Sequence, residues 1–283
     1  MNGVAAQMSE ARESLERLSR FGIRPNRELG QNFLVDDNLL GVIGRLAELS
    51  TDDVVLEIGG GLGVLSAYLA PRTAHVHVVE TDRRLEPVLT EALGPHANAD
   101  LVIADVMDLD LATFDPGPTK VVANLPYGVA VPAILKTIAE LPETGLWCVM
   151  VQREIADRLA ASPGTKAYGI PSVLVQLACE VKFARAVSRK VFRPAPRVDS
   201  ALLVLRRIGP APAPAVAALV HAGFAHRRKA LAGSLELVTG SRADREAARA
   251  VLVELGHPPD ARAERLTPTE LATLAERLEE LRS

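Results

Sequence analysis

The architecture of this chain is set by one segment, Val54-Val55-Leu56-Glu57-Ile58-Gly59-Gly60-Gly61-Leu62-Gly63, in which an apolar run meets four glycines in five positions. The β-branched residues before the glycines predict a buried parallel strand, and the spacing of Val64, Leu65 and Leu69 predicts a helix that packs back on it. Glycine lets the backbone turn sharply and approach a ligand, which the free N–H groups of the new helix then face. The segment therefore predicts the strand–turn–helix unit that opens a nucleotide-binding α/β fold.

The spacing of the glycines separates the classes of nucleotide fold. A dinucleotide fingerprint requires Gly-x-Gly-x-x-Gly/Ala, but counting from Gly59 or Gly61 leaves no glycine or alanine in the third place, so NAD is disfavoured. The pattern present is Glu-x-Gly-x-Gly-x-Gly, from Glu57 to Gly63, which resembles the first motif of the S-adenosylmethionine-dependent methyltransferases. Gly60 stands where the most similar family usually has proline, which predicts a looser loop. An ordinary glycine-rich loop is the structural alternative.

Length and composition are those of a globular protein. The 283 residues suffice for one large domain and a smaller one, and 48% of them are hydrophobic. No stretch reaches the roughly 18 uninterrupted apolar residues of a membrane span, and the start Met1-Asn2-Gly3 lacks a secretory signal. We therefore expect a cytoplasmic protein with no membrane partner. Cys148 and Cys179 have no paired spacing for metal or redox chemistry, so we expect both to be core thiols.

The charge pattern predicts a local basic patch on a chain whose formal net charge is −3. A negative balance argues against a protein that coats nucleic acid, because phosphate binding depends on Lys and Arg. Residues 182–207 nevertheless carry eight cations against one acid, Asp199, and a second cluster is Arg227-Arg228-Lys229. Only six of the 32 cations are lysine in an alanine-rich chain, so GC-rich coding is an alternative explanation for part of the arginine.

Acidic residues stand at the ends of the next two predicted strands. Residues 75–80 predict a strand that ends in Glu80, 21 residues after Gly59. In a βαβ unit this separation brings the carboxylate to the carboxyl end of the neighbouring strand, where it can accept hydrogen bonds from both hydroxyls of a ribose. Residues 99–104 predict the third strand, followed by Asp105, which can accept from the exocyclic amine of an adenine. For Glu80, an exposed strand-end acid with no role is the alternative.

The fourth predicted strand begins at Lys120 and runs into Asn124-Leu125-Pro126-Tyr127. A residue before proline favours extended backbone, so the carbonyl of Leu125 can point outward. Together with the side-chain carbonyl of Asn124, it offers two acceptors that could hold both hydrogens of an amino group and aim the nitrogen at a methyl donor. Tyr127 supplies a flat face on which a base could stack. A turn that packs a tyrosine is the structural alternative.

The rest of the predicted sheet lies between residues 146 and 207. Residues 146–151 predict a buried fifth strand, and 181–187 with 200–207 predict an antiparallel pair that closes the sheet. Their connector, residues 192–200, is too rich in proline for regular structure, and its prolines could hold Phe192 toward a pocket. The alternative is a stiff loop without a binding role.

The chain after residue 208 predicts a separate helical domain. A linker, Gly209-Pro210-Ala211-Pro212-Ala213-Pro214, is followed by helical patterns without a strand signal. Thr267-Pro268-Thr269-Glu270 combines a capping box with proline at the first helical position, so a helix begins there. His75, His77 and His96 share no ligand-like arrangement with cysteines or acids, which predicts no metal site. The predicted domains are residues 1–208, with an N-terminal extension over 1–37, and residues 209–283.

Five motifs follow one another in a specific order. They are Gly30-Gln31-Asn32-Phe33-Leu34; Glu57 to Gly63; Glu80 with Asp105; Asn124-Leu125-Pro126-Tyr127; and Phe192 to Ser200 followed by Phe224-Ala225-His226-Arg227-Arg228-Lys229. Over nearly the whole chain this pattern resembles the ribosomal RNA adenine dimethyltransferase family, and within it the bacterial enzymes of small-subunit (16S) rRNA. The resemblance implies an α/β fold with a Rossmann-like, seven-stranded class I methyltransferase sheet and a small all-helical C-terminal domain.

The resemblance also implies an activity and the residues that carry it. The implied reaction is S-adenosylmethionine-dependent dimethylation of N6 of two adjacent adenosines in a hairpin near the 3′ end of 16S rRNA, by a monomer acting on the pre-30S subunit. The implied cofactor contacts are Gln31, Asn32, Leu34, Gly59, Gly61, Gly63, Glu80, Asp105, Val106 and Asn124. The implied contacts to the target base are Asn124, Leu125, Pro126, Tyr127 and Phe192, the two aromatic rings sandwiching it. The implied RNA contacts are Arg193, Arg197, Arg227, Arg228 and Lys229, whereas Glu28 stands where the family often has a basic residue.

Alternatives from other functional classes remain open at this point. A large-subunit rRNA adenine methyltransferase of the antibiotic-resistance type shares the core, and only its substrate distinguishes it. A ribosome-assembly or transcription factor that retains the fold without needing catalysis is a second alternative, against which the intact Asn124-Leu125-Pro126-Tyr127 and Glu80 argue. A small-molecule methyltransferase is a third, disfavoured by the basic tail domain.

Overall fold

The computed structural model describes residues 10–26 and 29–281, and within them the chain forms two sheets and eleven α-helices. The strands are β1 (Phe33–Leu34), β2 (Val54–Ile58), β3 (His75–Glu80), β4 (Ala99–Ile103), β5 (Lys120–Asn124), β6 (Leu146–Gln152), β7 (Cys179–Val187), β8 (Phe192–Arg193) and β9 (Ser200–Arg207). The helices are α1 (Glu10–Arg20), α2 (Asp37–Leu46), α3 (Val64–Leu69), α4 (Glu86–Leu93), α5 (Ala130–Glu140), α6 (Arg153–Leu159), α7 (Ile170–Ala178), α8 (Pro214–Ala225), α9 (Leu231–Thr239), α10 (Arg242–Glu254) and α11 (Pro268–Glu280). None of the helices in these residues is long and apolar enough to cross a membrane.

The larger sheet confirms the predicted seven-stranded α/β fold. Its strand order is β4-β3-β2-β5-β6-β9-β7, with β2 through β6 paired in parallel and β9 antiparallel to β6. The chain runs outward from β2 through β3 to β4 and then returns to β5 on the other side of β2. Ligands of open α/β sheets bind beyond the carboxyl ends of the strands where the order reverses in this way, so the switch between β2 and β5 marks the expected site.

Burial in the sheet follows from the apolar runs that predicted it. All five residues of β2 are buried, as expected for a central parallel strand covered on both faces. On β6, Trp147 is fully buried and its indole N–H donates to the hydroxyl of Thr137 on α5 (2.9 Å). Full burial of an apolar side chain contributes about 1.5–3 kcal/mol, so this core holds the strand ends rigidly in place.

By their internal contacts, the residues form two compact units. The first comprises Met1–Ala156 with Lys182–Arg206, and the second comprises Asp157–Val181 with Arg207–Ser283. The second unit therefore begins two residues before the predicted division after residue 208, and it also includes the segment 157–181. The reason is that α7 packs on α8 and α11, and that the buried Tyr168 donates to the carbonyl of Leu266 (2.9 Å). The predicted capping box at Thr267 is confirmed.

Two local features affect the site. Asp82 caps a 3₁₀ turn just before α4 by accepting from the N–H of Arg84 (3.1 Å). The proline-rich connector, predicted to be irregular, contains β8, which pairs antiparallel with β1. This two-stranded ribbon carries the segment from Gly30 to Leu34 to the sheet's carboxyl edge.

Candidate active site

A cavity of about 320 Å³ opens in the first unit at the carboxyl ends of β2, β3, β4 and β5. Its walls come from the glycine turn, the strand ends and the segment that leads into β1. The predicted site residues that line it are Gln31, Asn32, Leu34, Gly59, Gly61, Glu80, Asp105, Val106, Asn124, Leu125, Pro126 and Tyr127. Motifs that are far apart in the sequence thus meet around one space.

Two residues predicted for this site do not line the cavity. Gly63, with φ of 75°, is the N-cap of α3, and a Cβ there would lie 2.5 Å from the Cβ of Ala92. Position 63 therefore requires glycine for its backbone conformation and for its close packing against α4. Phe192 is completely buried in β8, opposite Leu34 of β1. Its ring is therefore not exposed to the cavity.

The glycine turn is tightly packed. Gly59 has φ of 85°, and a Cβ there would lie 3.2 Å from the ring of Pro126, so only glycine lets the two loops approach. A Cβ at Gly60 would lie 2.5 Å from Cγ1 of Val78. The looser loop expected from Gly60 is therefore not found, because Val78 of the neighbouring strand β3 fills the space beside Gly60.

Glu80 is held in a defined orientation at the end of β3. Its Oε2 accepts from the N–H of Gly61 (2.9 Å) and its Oε1 from the N–H of Asp82 (2.9 Å). Burial raises the pKa of this carboxyl, while the two N–H groups oppose the rise. Asp105, beyond β4, is exposed, and its Oδ1 accepts from the N–H of Met107 (2.9 Å).

The segment before β1 is fastened over the cavity by side-chain hydrogen bonds. Gln31 donates through Nε2 to Oδ2 of Asp82 (2.7 Å). Hydrogen bonds from Arg84 and then from Gln31 lower the pKa of Asp82 to about 2, so this anchor stays charged at neutral pH. Asn32 donates to the carbonyl of Gly30 (2.7 Å). Glu28, whose departure from the family pattern was noted, lies outside the described residues.

The turn after β5 contains two potential acceptors on residues that line the cavity. Nδ2 of Asn124 donates to the backbone carbonyl of Asn32 (3.3 Å), which leaves Oδ1 as the accepting atom of that amide. Among the described residues, none donates to the carbonyl of Leu125. Tyr127 is half-buried, and its hydroxyl shares a 2.9 Å hydrogen bond with that of Ser200. Burial raises the pKa of Tyr127, so the phenol stays neutral.

Glu57 is a functional candidate that the sequence interpretation used only as a motif position. It lines the cavity, is 1% exposed, and accepts a 2.5 Å hydrogen bond from the hydroxyl of Ser66. Burial raises its pKa to about 8, against the Ser66 hydrogen bond, and the charge of Glu80 adds to the rise. A carboxyl in an otherwise apolar strand is the sequence signal that could have identified it.

The predicted RNA contacts are all exposed. Arg193 and Arg197 lie in the first unit, and Arg227, Arg228 and Lys229 lie in the second, after α8. Arg227 is partly engaged, since its Nε donates to Glu264 (2.9 Å). Arg193 is also partly engaged, since its guanidinium donates to the carbonyl of Phe192 (3.0 Å), but both side chains remain exposed, as phosphate contacts require.

The prediction that the histidines share no ligand-like arrangement with acids is wrong for two of them. His75, His77 and Asp100 place ligand atoms within 4.8 Å of one another. Asp100 belongs to the neighbouring strand β4, so its proximity depends on strand register and not on spacing in the sequence.

A cavity at the switch point of a parallel sheet, bordered by a strand-end glutamate, a glycine turn and Asn-Leu-Pro-Tyr, defines a class I methyltransferase. Within this class, the model of the family described as ribosomal RNA adenine dimethylase matches residues 22–278, and the chain belongs to that family.

Similar proteins of known name agree with this assignment. The ribosomal RNA small subunit methyltransferase A of Thermobifida fusca (strain YX) is 44% identical over 267 residues, which cover 91% of this chain and 92% of the relative. That of Lactiplantibacillus plantarum (strain ATCC BAA-793 / NCIMB 8826 / WCFS1) is 40% identical, covering 91% of each. The crystal structure of the 23S rRNA methyltransferase ErmE has a TM-score of 0.66 and 29% identity, covering 88% of this chain and 100% of that one. A dimethyladenosine transferase from Plasmodium falciparum, with a TM-score of 0.74 and 23% identity over 88% of this chain and 98% of that one, shares the fold.

Proposed function

We propose that this protein transfers methyl groups from S-adenosylmethionine to N6 of two adjacent adenosines in a hairpin near the 3′ end of 16S rRNA, on the pre-30S subunit in the cytoplasm. The observation that carries the proposal is that Glu80, Asn124 and Leu125 border one cavity at the switch point of the sheet. The choice of small-subunit over large-subunit RNA is supported by relatives named for the small subunit at 40–45% identity, against 29% for ErmE.

The residues around the cavity fit S-adenosylmethionine. Glu80 would accept from the ribose hydroxyls, and Asp105 from the adenine amine. Gly59 and Gly61 keep the cavity free of side chains: a Cβ at Gly61 would lie 3.3 Å from the ring of Phe33. The volume of about 320 Å³ lies in the range of small-molecule sites. When bound, this cofactor supplies a methyl group on a positively charged sulfur, which an amine nitrogen attacks.

Asn124 and Leu125 would hold the target amine. The N6 of adenine is a poor nucleophile because its lone pair is delocalised into the ring. Two carbonyl oxygens that accept its two hydrogens fix the direction of that lone pair and favour pyramidal geometry at nitrogen. Orientation of this kind supplies a large share of the rate, and no strong base is needed, because the methylated nitrogen is acidic enough to lose its proton to water.

The base has to leave its stack to reach these acceptors, which favours targets in loops or opened hairpin ends. Tyr127, which borders the cavity, would stack on the extruded adenine. The stacking proposal rests on this ring alone, because Phe192 is fully buried. Exposed cations at Arg193, Arg197, Arg228 and Lys229, together with Arg227, would contact RNA phosphates.

The test is methylation of purified ribosomal subunits. The full chain is incubated with tritium-labelled S-adenosylmethionine and under-methylated 30S or 50S subunits, and the modified nucleotides are mapped. We expect label at two neighbouring adenosines of 16S rRNA; label only in 23S rRNA would favour the large-subunit alternative.

A pair of variants separates catalysis from binding. Asn124→Ala should lower the rate by about a hundredfold, in the range found when one positioned polar group is removed from an active site. Asn38→Ala, at an exposed position of α2 outside the cavity, is the matched control. If subunit maturation in cells is indifferent to Asn124→Ala although methylation is lost, an assembly role dominates.

A further inference from the structure

His75, His77 and Asp100 form a cluster at the opposite edge of the sheet from the cavity. The two histidines are two residues apart on β3, so their side chains share one face, and Asp100 lies directly opposite His77 on β4. His75 begins the strand that Glu80 ends, a separation of about 16 Å at the rise of a β-strand. The cluster is therefore separate from the proposed reaction.

The contacts of His77 indicate which of its two ring nitrogens carries a proton. Its Nε2 lies 2.8 Å from the carbonyl oxygen of Pro116, which can only accept, so Nε2 carries a proton. In the neutral imidazole, Nδ1 then has no proton and carries a lone pair. That lone pair faces both carboxylate oxygens of Asp100, each at 3.0 Å, while the side chain is 1% exposed. Two acceptors at this distance require either a proton or a metal ion between them.

The position of His75 favours a metal ion over a proton in this cluster. Its Nε2 lies 3.3 Å from Oδ2 of Asp100, so two imidazole nitrogens converge on one carboxylate. A second proton on His77 would join only His77 and Asp100, whereas a metal ion would engage all three groups. The ring of His77 is also fixed by its donated hydrogen bond to a backbone carbonyl, as metal-bound histidines almost always are.

Two of the three ligand separations match a tetrahedral ion. Nitrogen and oxygen ligands at 2.0–2.1 Å from zinc lie about 3.3 Å from one another. The contacts of Asp100 to His77 and to His75 are 3.0 and 3.3 Å, and all three ligand atoms lie within 4.8 Å of one another, so side-chain rotation would bring the set around an ion. Asp100 is 48% exposed and His75 is 22% exposed, which leaves room for a solvent ligand in the fourth position.

We propose that His75, His77 and Asp100 form a binding site for a divalent transition-metal ion, zinc or an ion of similar ligand preference. The bound ion would join the edge strand β4 to β3. Through Pro116 it would also hold the loop before β5, where the ring of Phe114 lies 4.8 Å from that of His77. Its effect is on the stability of this edge and not on the chemistry of methyl transfer.

The test uses the full chain after removal of metals with a chelator. Zn²⁺ is titrated into it in a calorimeter, and Co²⁺ binding is followed by visible absorption, which reports tetrahedral coordination. We expect about one ion per chain and a rise in melting temperature with added Zn²⁺. His75→Gln and Asp100→Asn, both at positions reached by solvent, should each weaken binding by at least about tenfold.

His96→Gln is the matched control, since it removes a histidine outside the cluster, and it should leave Zn²⁺ affinity unchanged. The proposal is overturned if the wild type binds no stoichiometric Zn²⁺ at micromolar concentrations. It is equally overturned if both cluster variants bind Zn²⁺ as tightly as the wild type, because the ion would then be bound elsewhere.

Discussion

Replacing Glu57 with glutamine should stabilise the folded protein at neutral pH. The carboxyl is fully buried, and burial raises its pKa to about 8, from an ordinary value of 4.5. At pH 7 the folded protein therefore holds a neutral acid, whereas the unfolded chain exposes an ionised one. Glutamine has nearly the same shape as the neutral acid, and its carbonyl retains the hydrogen bond from the hydroxyl of Ser66.

The sign and size follow from proton linkage. Between pH 4.5 and 8 the folded state binds a proton that the unfolded state has lost, so unfolding releases it and the free energy of unfolding falls as pH rises. The stability contribution of Glu57 is complete below pH 4.5 and is lost as pH rises through 8. The slope is about 1.4 kcal/mol per pH unit, which amounts to about 3 kcal/mol between pH 5 and 7.

The measurement is urea unfolding at several pH values between 5 and 9, followed by fluorescence. Trp147 is the single tryptophan and is buried in the same unit as Glu57, so its emission reports on the relevant part of the molecule. The stability of Glu57→Gln relative to the wild type should grow by about 1.4 kcal/mol per pH unit and level off above pH 8. Taking the difference between the two proteins cancels the titrating groups that do not interact with Glu57; Glu80, which does, contributes to the measured difference.

Glu143→Gln, an exposed change of the same charge, controls for net charge and should shift stability by no more than about 0.5 kcal/mol. A stability difference for Glu57→Gln that stays constant from pH 5 to 9 would refute the reasoning, because the buried carboxyl would then ionise as it does in the unfolded chain. A destabilised variant at pH 8 would refute it as well.

Three further substitutions test other contacts. Glu80→Gln removes the charged acceptor proposed for the ribose and should weaken S-adenosylmethionine binding by about tenfold to a hundredfold in calorimetry; unchanged affinity would contradict that role. Gly60→Ala adds a Cβ 2.5 Å from Val78 and should cost about 1–3 kcal/mol of stability, so an unchanged urea midpoint would contradict the packing described. Arg228→Ala should reduce the slope of log affinity against log salt for 16S rRNA fragments by about one. The exposed Arg242→Ala, in α10, is its control, and equal slopes for both would argue against a specific phosphate contact.

Much of the fold and cavity could be predicted because parallel strands bring their carboxyl ends together. Glu80 and Asn124 are separated by 44 residues, yet each ends a strand adjacent to β2, so their convergence follows from strand order alone. Apolar runs located these strands, and the glycine spacing distinguished the type of nucleotide site. Helix ends such as that at Thr267 were predictable because capping is local.

The parts that could not be predicted depend on contacts between distant segments. Phe192 was expected at the target base, but its position depends on β8 pairing with β1, a two-residue ribbon with no periodic signal. Gly60 was expected to loosen its loop, and only the position of Val78 on the adjacent strand shows that the space is filled. Both cases require knowledge of which side chain meets which, and the sequence pattern of one element does not contain it.

Strand register accounts for both the cavity and the histidine cluster. In the pairing of β3 with β4, Glu80 lies beside Ile103, and the same register sets His77 beside Asp100 three residues earlier. A single register of β4 on β3 therefore places Asp105 at the cavity, beyond the carboxyl ends of the strands, and Asp100 beside the histidines, near their amino ends. A one-residue shift would turn the side chains of β4 to the opposite faces and separate Asp100 from His77. The β3–β4 pair that carries the proposed adenine contact beyond its carboxyl end is thus the pair that the proposed metal ion would hold in register near its other end.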